Sequence, residues 1–174
     1  MQKKFAIIIM AAAAVAACSD GQSSVSAEEF VETAIIEACE KLVADYAIFR
    51  DRPDPEGYSN TFADDGELVL PSGTYSGREA LRHRLAEGAG KSVSRHMMST
   101  SRIIVQDSRH ATGISYAMIF IEETPDGEET EFPVATDGIF AIGEYHDTFE
   151  LTNRGWKFTR REFRPVLQWD DGEQ

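Results

Sequence analysis

Cysteine is scarce in this chain, which contains two among its 174 residues. Two cysteines cannot build a disulfide scaffold or a cysteine-rich zinc site. Outside the N-terminus, the sequence also lacks an apolar run long enough to cross a bilayer. What is present suits one compact domain, because 42% of the residues are hydrophobic and 10% are aromatic, enough for a single core.

Positive charge is also in short supply. Lys and Arg total 17 against 30 Asp and Glu, so the formal net charge is −13 at pH 7. A nucleic acid requires a basic footprint on its protein partner, so this balance argues against DNA or RNA binding. It equally argues against a polybasic helix that lies on a membrane surface.

Several motifs of catalytic chemistry are missing. No His-x-His or His-Glu-x-x-His spacing occurs, and the four histidines fall in four separate parts of the chain, so no metal site is expected. There is no serine-centred nucleophile elbow, no glycine-rich phosphate loop and no dinucleotide fingerprint. We therefore expect neither a cofactor nor a metal.

The first residues have the pattern of an export leader. Two lysines precede an apolar run over residues 5–15, which is long enough for a signal peptide and too short to span a bilayer. The run ends in Val-Ala-Ala-Cys at residues 15–18, which resembles a bacterial lipobox. We predict a signal peptide over 1–17, a lipidated Cys18, and a polar tether that completes 18–26.

This leader predicts the location of the protein. We expect an exported, periplasmic protein of a Gram-negative bacterium that is anchored by lipid. The outer membrane is the expected site, because Ser19 rather than Asp follows Cys18. The alternative is an ordinary secretory signal cleaved near Ala17. Cys39 falls within an apolar helical pattern, so we expect a buried thiol there rather than a nucleophile.

The remaining pattern places helices before strands. Ser26 and Glu29 have capping-box spacing ahead of a long periodic run, and Asp54 before Pro55 is typical of a second helix start. Helices first and an antiparallel meander after them indicate an α+β cone, with helices packed in a strongly curved antiparallel sheet. The open end of such a cone is a natural ligand pocket. The predicted elements are helices over 27–49, just after Pro55 and over 77–87, and strands over 67–70, 93–106, 111–122, 131–150 and 155–167.

The order of several short motifs resembles the SnoaL-like branch of the nuclear transport factor 2-like superfamily. The resemblance covers roughly residues 28–168, within a predicted domain of 27–168 that precedes an acidic tail over 169–174. The motifs that carry it are Phe62-Ala63-Asp64-Asp65-Gly66, Tyr75-Ser76-Gly77-Arg78-Glu79-Ala80, Ser94-Arg95-His96-Met97-Met98-Ser99, Tyr145-His146-Asp147-Thr148-Phe149 and Gly155-Trp156-Lys157-Phe158.

The enzyme pattern that this resemblance implies is that of scytalone dehydratase, bile-acid dehydratases and hexachlorocyclohexane dehydrochlorinase. In that pattern Asp51 orients His96, which acts as the base, and Tyr46 polarises the substrate. Asp147 falls close to an oxyanion-hole Asp and Arg161 near a substrate-binding Arg, so both are substrate-binding candidates, as is Tyr116.

The sequence departs from the pattern of the dehydratases at one place. Their middle strand carries a second polar group, which would fall in Ile119-Phe120-Ile121, a wholly apolar stretch here. The expected function is a cofactor-independent lyase or isomerase for a small hydrophobic hydroxylated or polycyclic substrate. The alternative is a noncatalytic, membrane-tethered lipoprotein that binds a hydrophobic small molecule or serves as a dimerisation module.

Each candidate also has a purely structural interpretation. His96 could be a core histidine with a satisfied hydrogen bond, and Asp51 could simply end a helix before Pro53. Tyr46 has the helical spacing of a core aromatic. Asp147 could be a solvated strand residue paired with Arg161.

Overall fold

The first helix begins at a side-chain cap. In the computed structural model, which describes residues 26–124 and 130–168, Ser26 accepts from the backbone N–H of Glu29, and Glu29 accepts from that of Ser26. This confirms the predicted capping box. Helix α1 (Ala27–Asp51) runs two residues past the predicted end, which places Asp51 in its last turn. The predicted signal peptide, Cys18 and the acidic tail lie outside the described residues.

Two shorter helices follow the predicted pattern. Asp54 caps helix α2 (Pro55–Asn60) by accepting from the backbone N–H of Gly57, with Pro55 at the first helical position. Helix α3 (Arg78–Gly88) buries Leu81 and Leu85. Among the described residues, no helix is long and apolar enough to cross a membrane.

The strands before α3 are longer than the sequence predicts. Strand β1 (Phe62–Leu70) begins five residues before the predicted start, and strand β2 (Gly73–Ser76), which was not predicted, pairs with it antiparallel. The start of β1 was not predicted, because the stretch Asp64-Asp65-Gly66 interrupts the apolar alternation that is typical of a strand.

Four long strands form the predicted meander, with one correction. They are β3 (Ser92–Val105), β4 (His110–Glu123), β5 (Ala141–Thr152) and β6 (Gly155–Gln168). The strand predicted over 131–150 begins only at Ala141. A register shift lies at Gly143, where a Cβ atom would stand 2.4 Å from the carbonyl oxygen of Arg164. Only glycine allows that close approach of the two strands.

The six strands form one sheet in the order β2-β1-β6-β5-β4-β3. All neighbours are antiparallel except β1 and β6, which run parallel. The last strand of the meander therefore lies between β1 and β5 and runs parallel to β1, which corrects the expectation of a wholly antiparallel sheet. The sheet curves around α1, and the α+β class predicted from sequence is confirmed.

The core lies between α1 and the inner face of the sheet. Helix α1 contributes Ile35, Cys39, Leu42, Val43 and Tyr46 to it. Cys39 is fully buried, as predicted, and burial raises the pKa of its thiol to about 12. A thiol with so high a pKa stays protonated at neutral pH and is a poor nucleophile.

Candidate active site

The end of α1 meets the start of β3 through a single carboxylate. Asp51 Oδ1 lies 2.6 Å from His96 Nδ1 and accepts from Ser94 Oγ at 2.9 Å. Asp51 Oδ2 accepts from the backbone N–H of His96 at 2.7 Å. Three donors therefore hold the carboxylate, although 45 residues separate Asp51 from His96. The predicted pairing of these two residues is present in the structure.

Burial and hydrogen bonding act on Asp51 in opposite directions. Burial alone would raise the pKa of its carboxyl group, but the hydrogen bonds and charge of His96, with the Ser94 hydroxyl, lower that pKa below its usual value. Asp51 is therefore ionised at neutral pH and can only accept. The proton between the pair belongs on Nδ1 of His96, which leaves Nε2 as the nitrogen that can accept a proton.

The imidazole lines a cavity at the open end of the cone. The cavity has a volume of about 240 Å³, and its wall is mainly apolar. The side chain of His96 is 6% exposed, so the pair is largely shielded from bulk water. The apolar part of the wall is formed by Leu70, Pro71, Ile119, Ile121, Phe140, Ala141, Phe163 and Pro165.

Tyr46 stands beside the pair on α1. Its ring lies edge-on to the imidazole of His96, with centroids 6.4 Å apart and an interplanar angle of 89°. It also packs against the rings of Tyr58 at 5.1 Å and Tyr145 at 5.6 Å. Tyr46 lines the cavity, so the structure brings all three residues predicted as catalytic to one site.

The comparisons with known proteins identify the family of the chain. A family model described as a SnoaL-like domain matches residues 31–162. The chain belongs to the SnoaL-like family. The family and the fold predicted from the sequence motifs, within the nuclear transport factor 2-like superfamily, are thereby confirmed. No curated protein matches the chain.

Solved structures show how widely this fold is shared. A protein of unknown function from Mycobacterium tuberculosis is 25% identical, with a TM-score of 0.66 over 80% of this chain and 78% of that one. A candidate scytalone dehydratase from Novosphingobium aromaticivorans is 26% identical, with a TM-score of 0.67 over 83% and 93%. Hexachlorocyclohexane dehydrochlorinase LinA-type3 from Novosphingobium barchaimii is 17% identical, with a TM-score of 0.67 over 83% and 96%, a likeness of fold alone.

Asp147 and Arg161 lie away from the cavity wall of this SnoaL-like domain. Arg161 Nη1 donates to Asp147 Oδ2 at 2.8 Å, and the two side chains are 0% and 1% exposed. The guanidinium stacks on the rings of Tyr145 at 3.9 Å, Tyr46 at 4.3 Å and Phe158 at 4.7 Å. Neither residue lines the cavity. The structure thus joins the two as a buried ion pair, rather than placing them at a surface that a substrate could reach.

Tyr116 does not belong to the site. It is 45% exposed and alternates along β4 with Ser115 and Ala117, which are buried on the inner face. Its side chain therefore points to the outer face, and Tyr116 is absent from the cavity lining. The assignment of Tyr116 as a substrate-binding candidate for this cavity is corrected accordingly.

Two arginines at the cavity were missed by the sequence reasoning. Arg50 precedes Asp51 at the end of α1, and Arg84 lies on α3; both line the cavity. A signal for Arg84 was present, because it is three residues after Leu81 and adjacent to Leu85, on the flank of the buried face. Among residues 26–124 and 130–168, no group of three or more His, Cys, Asp or Glu could hold a metal ion.

Proposed function

We propose that this SnoaL-like domain is a cofactor-independent lyase or isomerase for a small hydrophobic, hydroxylated or polycyclic substrate. The observation that carries the proposal is the hydrogen-bonded pair of Asp51 and His96, 2.6 Å apart, on the wall of an apolar cavity. A carboxylate that fixes the tautomer of an imidazole makes the other nitrogen a competent general base. A candidate scytalone dehydratase among the structural neighbours supports an elimination.

The chemical step follows from these roles. Nε2 of His96 takes a proton from a substrate C–H, and the electrons of that bond form a carbon–carbon double bond. The bond from the adjacent carbon to hydroxyl or halogen breaks, and hydroxide or halide leaves with the electron pair of that bond. Tyr46 donates a hydrogen bond to the departing hydroxyl or to a developing oxyanion. Return of the proton to a different carbon, without loss of the leaving group, would instead give an isomerisation.

Turnover of a substrate panel tests this proposal. The panel contains hydroxylated steroids, polyketides and halogenated rings, with products identified by mass spectrometry and released halide measured directly. We expect His96→Gln to lower the rate by roughly 10²–10⁴-fold, as loss of a general base does. His83→Gln is the matched control, because His83 is 68% exposed on α3 and should have no effect. Turnover that persists undiminished in His96→Gln would refute the mechanism.

Tyr46→Phe tests the polarising role separately. Removal of the phenol should slow turnover by about ten- to a thousandfold, as loss of one oxyanion donor does. The aromatic packing with Tyr58 and Tyr145 is retained in this variant, so folding should change little. An unchanged rate would reduce Tyr46 to a core aromatic residue.

A noncatalytic ligand-binding role is the second candidate. It is favoured by Ile119 and Ile121, which line the cavity where dehydratases carry a further polar group. This candidate predicts no turnover across the panel and a hydrophobic molecule that copurifies from the native host. Mass spectrometry of the denatured protein would identify that molecule. Turnover that depends on His96 would exclude a purely binding role.

We further propose that the protein is a lipoprotein anchored through Cys18. The support is the lipobox-like sequence at residues 15–18. Cys18→Ala should leave the chain unprocessed or move it from the membrane fraction to the soluble fraction. Absence of labelled palmitate from the wild-type chain would overturn the proposal.

We also propose that the protein forms a homodimer through the outer face of β3 and β4. It exposes a row of apolar side chains, which singly would need no explanation but together mark an association surface. Sedimentation should give a dimer for the wild-type protein and a monomer for the Met118→Glu variant. A monomeric wild type would refute the dimer. The exposed side chains are Met97, Ile104, Ile114, Tyr116 and Met118.

A further inference from the structure

Two guanidinium groups stand on the wall of a cavity that is otherwise mostly apolar. Arg50 reaches it from the last turn of α1, and Arg84 from α3. An arginine is costly to remove from water unless an acceptor compensates for its charge. The acceptors available to each guanidinium therefore indicate what the cavity is built to hold.

Neither arginine has a carboxylate partner within the described part of the chain. The polar contact of Arg50 is a long one, 3.5 Å from Nη1 to Ser94 Oγ. Arg84 lies over the ring of Tyr75 at 4.8 Å, and its Nε is buried without an acceptor in the described residues. Most other arginines pair with Asp or Glu, namely Arg78, Arg82, Arg109, Arg154, Arg160, Arg161 and Arg164.

Both arginines are positively charged and line the cavity. An arginine stays protonated at physiological pH, so both guanidinium groups bring a positive charge to the cavity wall. The chain as a whole has a net charge of −13 and therefore repels anions in general. Any preference of the cavity for an anion must consequently come from these local groups.

We propose that Arg50 and Arg84 form a carboxylate-recognition site, so that the ligand of this cavity is a compact apolar molecule with one anionic group. The inference rests on the proposed function only in assigning substrate to the same cavity. A carboxylate offers a planar pair of acceptors that matches a guanidinium fork. A cavity of about 240 Å³ is smaller than the usual ligand pocket of roughly 300–1,000 Å³, which favours a ligand of one or two rings over a steroid.

This placement has a consequence for the base. His96 and both arginines line the same cavity, so a carboxylate held by the arginines presents its neighbouring C–H bonds to the cavity that holds the base. Removal of a proton next to a carboxylate moves negative charge onto the carboxylate oxygens, where the guanidinium groups stabilise it. Arg50 and Arg84 would thus select the substrate and favour its deprotonation.

A pair of isosteric probes tests the site without knowledge of the natural ligand. 2-Naphthoate and 2-naphthamide have nearly the same shape and differ in charge. We expect the wild-type protein to bind naphthoate at least tenfold more tightly than naphthamide, measured by calorimetry at fixed ionic strength. Equal affinities, or no binding of either probe at millimolar concentration, would overturn the inference.

Substitutions assign the preference to the two arginines. Arg84→Met and Arg50→Met should each weaken naphthoate binding by roughly tenfold, the effect of one lost hydrogen bond to a charged group, and leave naphthamide binding unchanged. Arg82→Met is the matched control on the same helix, because Arg82 is 47% exposed and pairs with Glu56 instead. If Arg84→Met fails to fold, Arg50→Met gives an independent result. A preference that survives both substitutions would refute the site.

The two proposals can fail separately. His96→Gln should leave the preference for naphthoate intact, since the arginines carry it. If naphthoate binding depends on the arginines but no substrate is turned over, the carboxylate-recognition site is supported and the lyase or isomerase activity is refuted. If a neutral substrate is turned over with dependence on His96 and none on the arginines, the lyase or isomerase activity is supported and the carboxylate-recognition site is refuted.

Discussion

Two aspartates of this domain pair with a basic residue but accept different numbers of hydrogen bonds. Asp51 accepts from three donors, the imidazole and backbone N–H of His96 and the hydroxyl of Ser94. Asp147 accepts from Arg161 at 2.8 Å, while its Oδ1 and the Nε and Nη2 of Arg161 find no partner among the described residues. One carboxylate is saturated with hydrogen bonds, and the other is not.

The pKa values of the two carboxyl groups separate accordingly. Burial raises the pKa of Asp147 to about 6, even though Arg161 and His146 lower it. Burial also opposes ionisation of Asp51, but there the hydrogen bonds from His96 and Ser94 prevail and lower the pKa. Asp147 is buried more deeply than Asp51 and accepts fewer hydrogen bonds, and both differences make Asp51 the stronger acid.

The two pairs also differ in whether the basic residue reaches the cavity. His96 lines the cavity, whereas the guanidinium of Arg161 is enclosed by the rings of Tyr46, Tyr145 and Phe158. Asp51, with three hydrogen bonds, therefore holds His96 at the cavity wall. Asp147, with one oxygen unpaired, holds Arg161 within the core. We accordingly assign chemistry to Asp51 with His96, and packing to Asp147 with Arg161.

Asp51→Asn should show the largest effect. An asparagine can place an N–H donor against Nδ1, which favours the tautomer that leaves Nε2 protonated and unable to act as base. We expect turnover to fall by roughly 10²–10⁴-fold with folding nearly intact. Asp45→Asn is the control, since Asp45 pairs with Lys41 on the outside of the same helix. Full activity of Asp51→Asn, beside an inactive His96→Gln, would show that the base needs no orienting carboxylate.

Arg161→Met should reduce stability rather than chemistry. It leaves Asp147 buried without its cation, which costs about 3–5 kcal/mol of the free energy of unfolding. The double variant Arg161→Met with Asp147→Leu should recover most of that loss, because no charge then remains buried. Urea unfolding measures both variants. If Arg161→Met instead lost affinity for ligand with its stability unchanged, Arg161 would be the substrate-binding residue that the family resemblance implies.

Most helices and strands and the pairing of Asp51 with His96 could be predicted from the sequence. The burial of Asp147 with Arg161 and the approach of Arg50 and Arg84 to the cavity could not. Capping residues and apolar periodicity act locally, so α1 and the meander could be predicted from neighbouring residues. The partner of Asp51 came from a family motif. The burial of Arg161 depends on β6 inserting between β1 and β5, and the direction of Arg84 depends on how α3 meets the open end of the cone. Both are results of tertiary packing, because the local pattern of α3 shows only that Arg84 flanks the buried face and not which cavity it reaches.

The pH dependence of stability should distinguish the two aspartates. Because the pKa of Asp147 is raised in the folded state, its contribution is fully present below the ordinary value of 3.8 and is lost as pH rises through about 6. The contribution of Asp51 has the opposite sign, being present above the ordinary value and lost as pH falls through its lowered pKa. Between pH 4.5 and 7, therefore, Asp147 is the one of these two aspartates whose contribution to stability changes.

Asp147→Asn isolates this contribution. Between pH 4.5 and 7 the wild type should lose about 1–3 kcal/mol more of its free energy of unfolding than the variant does. The comparison uses the change with pH, so that a constant difference in stability between the two proteins does not affect it. Identical slopes for the two proteins would mean that Asp147 is ionised throughout this range.

Ser94→Ala should show the smallest effect and is the finest test of the comparison. It removes one of the three donors to Asp51 and leaves both contacts from His96, so it moves Asp51 one step toward the condition of Asp147. We expect a loss of about 0.5–1.5 kcal/mol in the free energy of unfolding, a higher pKa for the Asp51 carboxyl and a fall in turnover of less than tenfold. Ser101→Ala, at an exposed position of the same strand, should change none of these. If Ser94→Ala reduced turnover as strongly as Asp51→Asn, the hydroxyl itself would be part of the chemistry rather than only a donor that lowers the pKa of Asp51.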